Sequence, residues 1–144
     1  MTAKAIPDGY HTITPYLVVR GADALIDFLK QAFDAQERLR HERPDGAIMH
    51  AEVEIGDSVL MLADAAVSTG VMTAMIHLYV ADADAYYNRA ISAGAESLRV
   101  PTDQVFGDRS AGVRDKWGNQ WWLATRIEDV SEEELHRRMA AAPA

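Results

Sequence analysis

Apolar residues along the chain alternate between a period of 2 and a period of 3.6, which predicts two successive sets of strands and helices. In the first set, residues 12–19 read as a strand and residues 21–33 as a helix with one apolar face. Three further strands are predicted at 35–42, 47–55 and 58–64, separated by Pro-Asp-Gly and Gly-Asp turn signals. The predicted order is therefore β-α-β-β-β.

The same order starts again after a loop. A strand is predicted at 74–80, a helix at 82–94, and strands at 95–100, 108–115 and 120–125. Asp82 suits the helix N-cap and Gly94 suits the position after its end. A last helix at 131–142 begins with a capping box of Ser131 and Glu134, and the pairs Glu133/Arg137 and Glu134/Arg138 are spaced to support it.

The two sets form an internal repeat with an offset of 61 residues. Identities at this offset include Leu17/Leu78, Val19/Val80, Asp23/Asp84, Ala24/Ala85 and Ala32/Ala93. The closing hairpins also match, since Leu62-Ala63 coincides with Leu123-Ala124. Because the two sets also share the same order of strands and helices, these few identities support an internal repeat.

Strand alternation assigns each predicted strand a helix-packing face and an opposite face. The uninterrupted apolar positions are expected to pack on the helices: Pro15, Leu17, Val19, Ala51, Val53, Ile55, Leu60, Leu62, Ile76, Leu78, Val80, Trp121 and Leu123. The opposite face is more polar: Thr14, Tyr16, Val18, His50, Glu52, Glu54, Val59, Met61, Ala63, Met75, His77, Tyr79, Trp122 and Ala124. The adjacent Trp121 and Trp122 are thus predicted to be core and face residues respectively.

Composition narrows the functional classes. The 144-residue chain has a net charge of −8, which argues against nucleic acid and membrane surfaces as partners and would suit a cationic ligand. It has no cysteine, which fits a cytoplasmic protein without disulfides. No nucleophile motif, phosphate-binding loop or dinucleotide fingerprint is present.

The tandem pattern resembles the vicinal oxygen chelate superfamily, which contains glyoxalases, bleomycin resistance proteins and extradiol dioxygenases. The segments that carry the resemblance are TPYLVVRGADALIDFLKQAFDAQE, HAEVEIGDSVLMLAD, IHLYVADADAYYNRAISAGA and DRSAGVRDKWGNQWWLAT. It implies an α+β fold in which two βαβββ modules form a curved, cup-shaped mixed sheet with helices on the convex side. A single domain is expected, with modules at about 12–64 and 74–126 and a C-terminal helix at about 131–142. The resemblance also implies a homodimer.

Metal-dependent members of that superfamily place His, Gln or Glu on the first and last strand of each module. The matching positions here are Thr14, Met61, Met75 and Trp122. None of these is a usual ligand for a hard or borderline divalent ion, so no metal and no other cofactor is expected. The alternative is a displaced divalent site built from His50 and Glu52 with His77 or His11, serving a lyase, isomerase or dioxygenase.

The leading hypothesis from the sequence is that the protein binds or sequesters a small aromatic compound in the cup between the modules. The acidic residues of the chain would also allow this compound to be a cation. Some members trap drugs in this way, so antibiotic resistance is one expectation. The expected ligand-binding residues are Tyr16, His50, Glu52, Met61, Met75, His77, Tyr79, Arg109 and Trp122. The competing hypothesis is that the large side chains fill the cup and leave a packed, inert interior.

Two further alternatives concern individual side chains. Glu52 with His50 or His77 would make a general base pair. Arg109 lies in a segment, FGDRS, that is common in glyoxalase-like proteins, and would either clamp an anionic group of the substrate or pair with Glu52 or Glu54.

Overall fold

The computed structural model describes residues 2–141, which divide after Ala74 into two compact units. The strands and helices of the first unit are β1 (Tyr16–Val19), α1 (Ala22–Phe33), β2 (Gln36–Glu42), β3 (Ile48–Ile55) and β4 (Ser58–Asp64). Those of the second are β5 (Met75–Tyr79), α2 (Ala83–Ser92), β6 (Glu96–Asp103), β7 (Asp108–Arg114), β8 (Gln120–Arg126) and α3 (Glu132–Ala141). The predicted α+β class and the repeated βαβββ order are confirmed.

Each unit contains one four-stranded mixed sheet. The strand order is β1-β4-β3-β2 in the first unit and β5-β8-β7-β6 in the second. In each sheet the first strand runs parallel to the last, and the remaining pairs are antiparallel. The expected mixed sheet is therefore present as two equivalent four-stranded sheets.

The core of the first unit forms between α1 and the predicted helix-packing face. Leu17, Val19, Ala51, Val53 and Leu62 are fully buried, as alternation predicts. They meet the apolar stripe of α1, whose buried residues are Ala22, Leu25, Ile26, Phe28, Leu29, Ala32 and Phe33.

The Asp64 carboxylate ties α1 to this sheet. It accepts hydrogen bonds from the backbone N–H groups of Gly21 and Ala22 at the start of the helix, at 3.0 and 2.8 Å. Its second oxygen accepts from the N–H of Ile48, where β3 begins, at 2.7 Å. One side chain thus satisfies three donors and fixes the start of two elements.

The core of the second unit is centred on Trp121, which is fully buried as predicted. Its indole N–H donates to the buried carboxylate of Asp115 at 2.9 Å. The same carboxylate accepts from the backbone N–H groups of Trp117 and Asn119 and from the Asn119 side-chain amide, each at 2.9 Å. The β7–β8 turn is therefore organised around one buried acid that is fully hydrogen-bonded.

Some boundaries differ from the prediction for identifiable reasons. The strand expected at 12–19 begins only at Tyr16, directly after Pro15, which has no N–H to donate to a ladder. Strand β6 continues to Asp103, and its register shifts between Arg99 and Thr102. Ile76 and Leu78 of β5 are only half-buried, because α2 packs mainly on β6, β7 and β8.

The helix ends follow the sequence signals closely. The Asp82 carboxylate accepts from the N–H of Ala85 at 3.1 Å, and Gly94 adopts a positive φ of 107° after α2 ends. At α3, the Ser131 hydroxyl accepts from the N–H of Glu134. Arg138 pairs with Glu134 as expected, whereas Arg137 contacts Glu134 rather than Glu133.

Residue 142, the last of the predicted C-terminal helix, lies outside the described residues. Among the described residues, no helix is long and apolar enough to cross a bilayer.

Candidate functional site

A row of four hydrogen-bonded side chains lies on the sheet face of the first unit that points away from α1. The hydroxyl of Tyr16 lies 2.9 Å from Nδ1 of His50, and Nε2 of His50 lies 2.8 Å from Oε2 of Glu52. The hydroxyl of Tyr10 donates to the other oxygen of Glu52. Alternation along β3 places His50 and Glu52 together, and β1 brings Tyr16 to them through β4.

The electrostatics of the row keep the Glu52 carboxylate ionised. Burial raises the pKa of the Glu52 carboxyl, but hydrogen bonds from Tyr10 and His50 and the nearby Arg38 charge outweigh it and hold the pKa below its ordinary value. Donation to Glu52 raises the pKa of the Tyr10 phenol. Burial, helped by the negative charge of Glu52, raises the pKa of Tyr16 as well. Both phenols therefore stay protonated around an anionic acid.

Tyr16 also borders an open cleft of about 380 Å³ within the first unit. The cleft is lined by Tyr16, Val18, Arg43, Met49, Ala63, Asp64, Ala66, Thr69 and Met72. Met72 reaches it because its backbone pairs with Val18, through hydrogen bonds of 2.9 and 2.8 Å. A second depression, of about 400 Å³, lies between the N-terminal segment and Met61 and includes Tyr10 and His11.

The corresponding face of the second unit carries Trp122. Its indole lies against Gly112 on β7, where a Cβ atom would come within 2.5 Å of the ring atom Cζ3. The guanidinium carbon of Arg99 lies 4.8 Å from the ring centroid, and Nη2 of Arg99 donates to the Ser110 hydroxyl at 2.5 Å. Trp122 therefore already has a cation against its ring.

An ion-paired acid lies further along the same face. Asp108 is almost fully buried and accepts a hydrogen bond from the Tyr79 hydroxyl at 3.0 Å. Nε of Arg126 lies 3.2 Å from its other oxygen, an ionic contact rather than an aligned hydrogen bond. His77 packs on Tyr79 with ring centroids 4.8 Å apart. Donation to Asp108 raises the pKa of the Tyr79 phenol.

Strand register shows how the two faces correspond. Glu52 pairs with Met61 across β3 and β4, and Gly112 pairs with Trp122 across β7 and β8. Met61 and Trp122 are 61 residues apart, so each pair occupies the same place in the repeat. The first unit fills that place with an acid and a thioether, and the second with a glycine and an indole.

The predicted site residues are thus distributed between two faces, one in each unit. Tyr16, His50, Glu52 and Met61 share the face of the first unit. Met75, His77, Tyr79 and Trp122 lie on strands β5 and β8 of the second, where Met75, His77 and Tyr79 are exposed.

Arg109 belongs to neither face. Its guanidinium binds Asp84 of α2, with Nε–Oδ1 and Nη2–Oδ2 distances of 2.7 and 3.0 Å, and Nη1 contacts Asp103 at 3.0 Å. The expected pairing of Arg109 with Glu52 or Glu54 was therefore wrong. Alternation along β7 explains the position, because Asp108 takes the opposite face and Arg109 is left on the helix side.

Sequence reasoning missed Tyr10, Arg38, Arg99 and Ser110. Tyr10 lies in a segment without regular structure, so no period could place it. Arg38 and Arg99 lie at register shifts in β2 and β6, where alternation fails as a guide. Ser110 carried a usable signal, because it lies two residues before Gly112 on a strand that was predicted.

Comparison with known proteins agrees with this architecture. The family model of the Glyoxalase/Bleomycin resistance protein/Dioxygenase superfamily matches residues 9–123. The chain belongs to this superfamily. An uncharacterised Mycobacterium bovis protein is 36% identical to this superfamily member over 140 residues, covering 90% of this chain and 92% of the relative. An uncharacterised Mycobacterium tuberculosis protein is also 36% identical over 140 residues, covering 90% and 82%.

Solved structures show the same glyoxalase-superfamily fold. TioX from Micromonospora sp. ML1 superposes with a TM-score of 0.69 at 24% identity, covering 81% of this chain and 99% of TioX. The fosfomycin resistance protein FosX from Mesorhizobium loti gives a TM-score of 0.59 at 20% identity, covering 86% and 94%. At these identities the likeness concerns the fold alone.

The four residues expected at the superfamily's metal positions are poor ligands for a divalent ion. Thr14, Met61, Met75 and Trp122 offer a hydroxyl, two thioethers and an indole N–H, and that N–H donates to Gln120 at 3.1 Å. Of the displaced set, His50 and Glu52 are bonded to each other. Among residues 2–141 no group of three or more His, Asp or Glu side chains is arranged to hold a metal ion.

Gly112 offers a direct test of how Trp122 is held. Its backbone does not have a positive φ, so alanine there should be unstrained and even slightly stabilising without the indole. Because the added Cβ would overlap the ring, we expect Gly112→Ala to lower the free energy of unfolding by about 2 kcal/mol. Urea denaturation measures this change. In a Trp122→Ala background the same substitution should cost nothing, and an equal cost there would show that the indole is not the obstacle.

Proposed function

We propose that this glyoxalase-superfamily protein binds a small aromatic ligand on the Tyr16 face of its first unit, without a divalent metal ion. The ligand class that fits best is an aromatic amine, whose N–H groups donate to Tyr16. The observation that carries the proposal is the hydrogen-bonded row from Tyr16 through His50 to Glu52, which opens onto the cleft beside it.

The direction of the hydrogen bonds follows from the ionised acid at the end of the row. A carboxylate only accepts, so Nε2 of His50 must donate to Glu52. In a neutral imidazole Nδ1 is then the acceptor, and it receives the proton of the Tyr16 hydroxyl. With His50 neutral, the lone pairs of the Tyr16 oxygen remain for a ligand, which must then bring a donor.

The lining of the cleft supports an aromatic ligand. Met49, Met72 and Val18 line the cleft together with Tyr16, and thioethers adapt to flat rings of different shape. A volume of about 380 Å³ lies within the range of small-molecule sites, which supports binding at this cleft.

We expect the protein to sequester its small ligand and not to use it as a cofactor. We propose sequestration of a toxic compound as the biological use, by analogy with superfamily members that confer resistance. A cytoplasmic homodimer completes the proposal, on the basis of the cysteine-free sequence and the family resemblance.

A thermal-shift screen with naphthalene-sized aromatic amines tests the site. A ligand at about 100 times its dissociation constant should stabilise the wild type by about 2.7 kcal/mol. Tyr16→Phe keeps the ring but removes the acceptor, so we expect binding about tenfold weaker.

The matched control is Tyr87→Phe, which removes another tyrosine hydroxyl that is bonded to a side chain, that of Ser97. It should leave the affinity unchanged. The proposal fails if no amine shifts the melting temperature. It also fails if Tyr16→Phe binds the amine as tightly as the wild type and the Tyr87→Phe control do.

Metal analysis separates this proposal from the metalloenzyme alternative. The donor set predicts that dialysed protein retains no stoichiometric divalent metal, and that the amine response is unchanged by a chelator. One equivalent of tightly held metal that is lost in His50→Ala would instead favour a displaced metal site.

A further inference from the structure

The second unit contains an arginine whose charge is not balanced by an acid. Five other arginines of this unit contact carboxylates: Arg109, Arg114, Arg126, Arg137 and Arg138. Arg99 forms no ion pair with any of the described residues 2–141. This is unexpected in a chain with a net charge of −8, where acids outnumber basic residues by 22 to 14.

Arg99 is nevertheless held in place. It is half-buried, with its guanidinium stacked on Trp122 and Nη2 bonded to the neutral Ser110 hydroxyl. Its Nε is shielded from solvent and has no hydrogen-bond partner among the described residues. A guanidinium remains ionised at physiological pH. Because this one is half-buried, water screens its attraction for an anion less than it would for an exposed charge.

The surroundings of Arg99 are neutral or already paired. Gly112 and Ser110 are small residues on the neighbouring strand. The acids of this face are engaged elsewhere, since Asp108 contacts Arg126 and Glu96 contacts Arg114 at 3.2 Å each. Among the described residues of this face, Arg99 is therefore a positive charge without an ion-pair partner.

We propose that Arg99 anchors a binding site for a small oxyanion, a carboxylate or phosphate group, on the face of the second unit that carries Trp122. The end-on pair of guanidinium nitrogens matches the two oxygens of such a group, and Nη1 makes no bond to the described residues. Ser110 and Trp122 fix the plane of the guanidinium, which prepares it for the anion before binding.

This site also gives Trp122 a different role from the one the sequence suggested. The indole stacks on the protein's own arginine instead of presenting a bare ring to a cationic ligand. An anionic ligand here and an amine at Tyr16 would be bound by different units, so the two proposals can fail separately.

Calorimetric titration with benzoate tests the site, with neutral benzamide as the matched probe. We expect saturable benzoate binding to the wild type, no benzamide binding, and a loss of about tenfold or more in Arg99→Gln. Arg114→Gln removes the same charge from the same face and should change the affinity less than about twofold, because Arg114 is already paired. Binding should also alter the fluorescence of Trp122, and Trp122→Phe should lose that signal.

Competition with phosphate identifies the class of anion, and the affinity of the Arg99 variants decides whether the site exists. Displacement of benzoate by inorganic phosphate would assign the site to oxyanions in general, and failure to displace it would assign the site to carboxylates. If Arg99→Gln does not fold, Arg99→Lys replaces it in the test. Lysine keeps the charge but lacks the paired guanidinium donors, so this variant should bind benzoate more weakly than the wild type. Equal benzoate affinity in the wild type and the Arg99 variant, or no saturable binding at all, would overturn the proposal.

Discussion

Replacing Asp115 with alanine should lower the free energy of unfolding by about 4 kcal/mol or more, the largest effect expected from a single polar substitution in this chain. The carboxylate accepts four hydrogen bonds, and two of the donors are side-chain groups of the buried Trp121 and Asn119. Without Asp115 these donors lose a charged acceptor in a place that water reaches poorly. Such a loss is comparable with the whole stability of a weakly stable domain.

Urea denaturation followed by near-ultraviolet circular dichroism measures the effect through the packing of the aromatic side chains, Trp121 among them. Asp115→Asn tests the role of charge, since it keeps the shape but brings two donors into a site that needs acceptors. Asp129→Ala, at an exposed acid of the same unit, is the control and should change stability by less than about 0.5 kcal/mol. A similarly small change in Asp115→Ala would mean that the turn is not organised around the acid.

Replacing Asp64 with alanine should cost about 3 kcal/mol, because three backbone N–H groups lose their acceptor at once. Two of these N–H groups lie at the start of α1, so the substitution should destabilise the first turn of that helix. Amide hydrogen exchange at Ala22 and Ile48 should accelerate relative to the wild type, while amides in the second unit serve as the internal reference.

This contribution should also depend on pH. Burial raises the pKa of Asp64, but the hydrogen bonds from Ala22, Ile48 and Gly21, with the Arg43 charge, outweigh it and lower the pKa below its ordinary value. An acid whose pKa is lower in the folded state stabilises the fold fully above its unfolded pKa, about 3.9. The stability difference between wild type and Asp64→Ala should therefore shrink as the pH falls from about 4 through the folded-state pKa.

The control for the pH dependence is Asp27→Asn, which neutralises an exposed acid on α1. Its stability difference from the wild type should be small at every pH. A wild-type advantage over Asp64→Ala that stays constant down to pH 2 would contradict the assignment, because it could not arise from an ionised carboxylate.

Those parts of the fold that depend on backbone periodicity could be predicted from the sequence. Side chains two apart on a strand share a face, which is why His50 and Glu52 were placed together and Trp121 was separated from Trp122. The offset of 61 residues predicted the repeated order, and a turn signal predicted the β7–β8 hairpin.

The side-chain partners that complete each face could not be predicted in this way. Tyr10 reaches Glu52 from a segment with no period, and its position depends on tertiary packing. Arg99 follows a register shift, after which the face of each residue can no longer be counted from the strand start. For Arg109 the decisive partner, Asp84, lies in the first turn of a helix packed across the sheet, a relation that sequence spacing does not contain.

The correspondence between Glu52 with Met61 and Gly112 with Trp122 has a consequence for engineering and for divergence between duplicated halves. Each pair shares one fixed volume on its sheet, so a large residue on one strand requires a small one across from it. Exchanging only one member would either overfill the surface or leave a hole in it. The two positions should therefore be exchanged together, and Glu52→Gly combined with Met61→Trp is the smallest change that would carry the second unit's surface into the first.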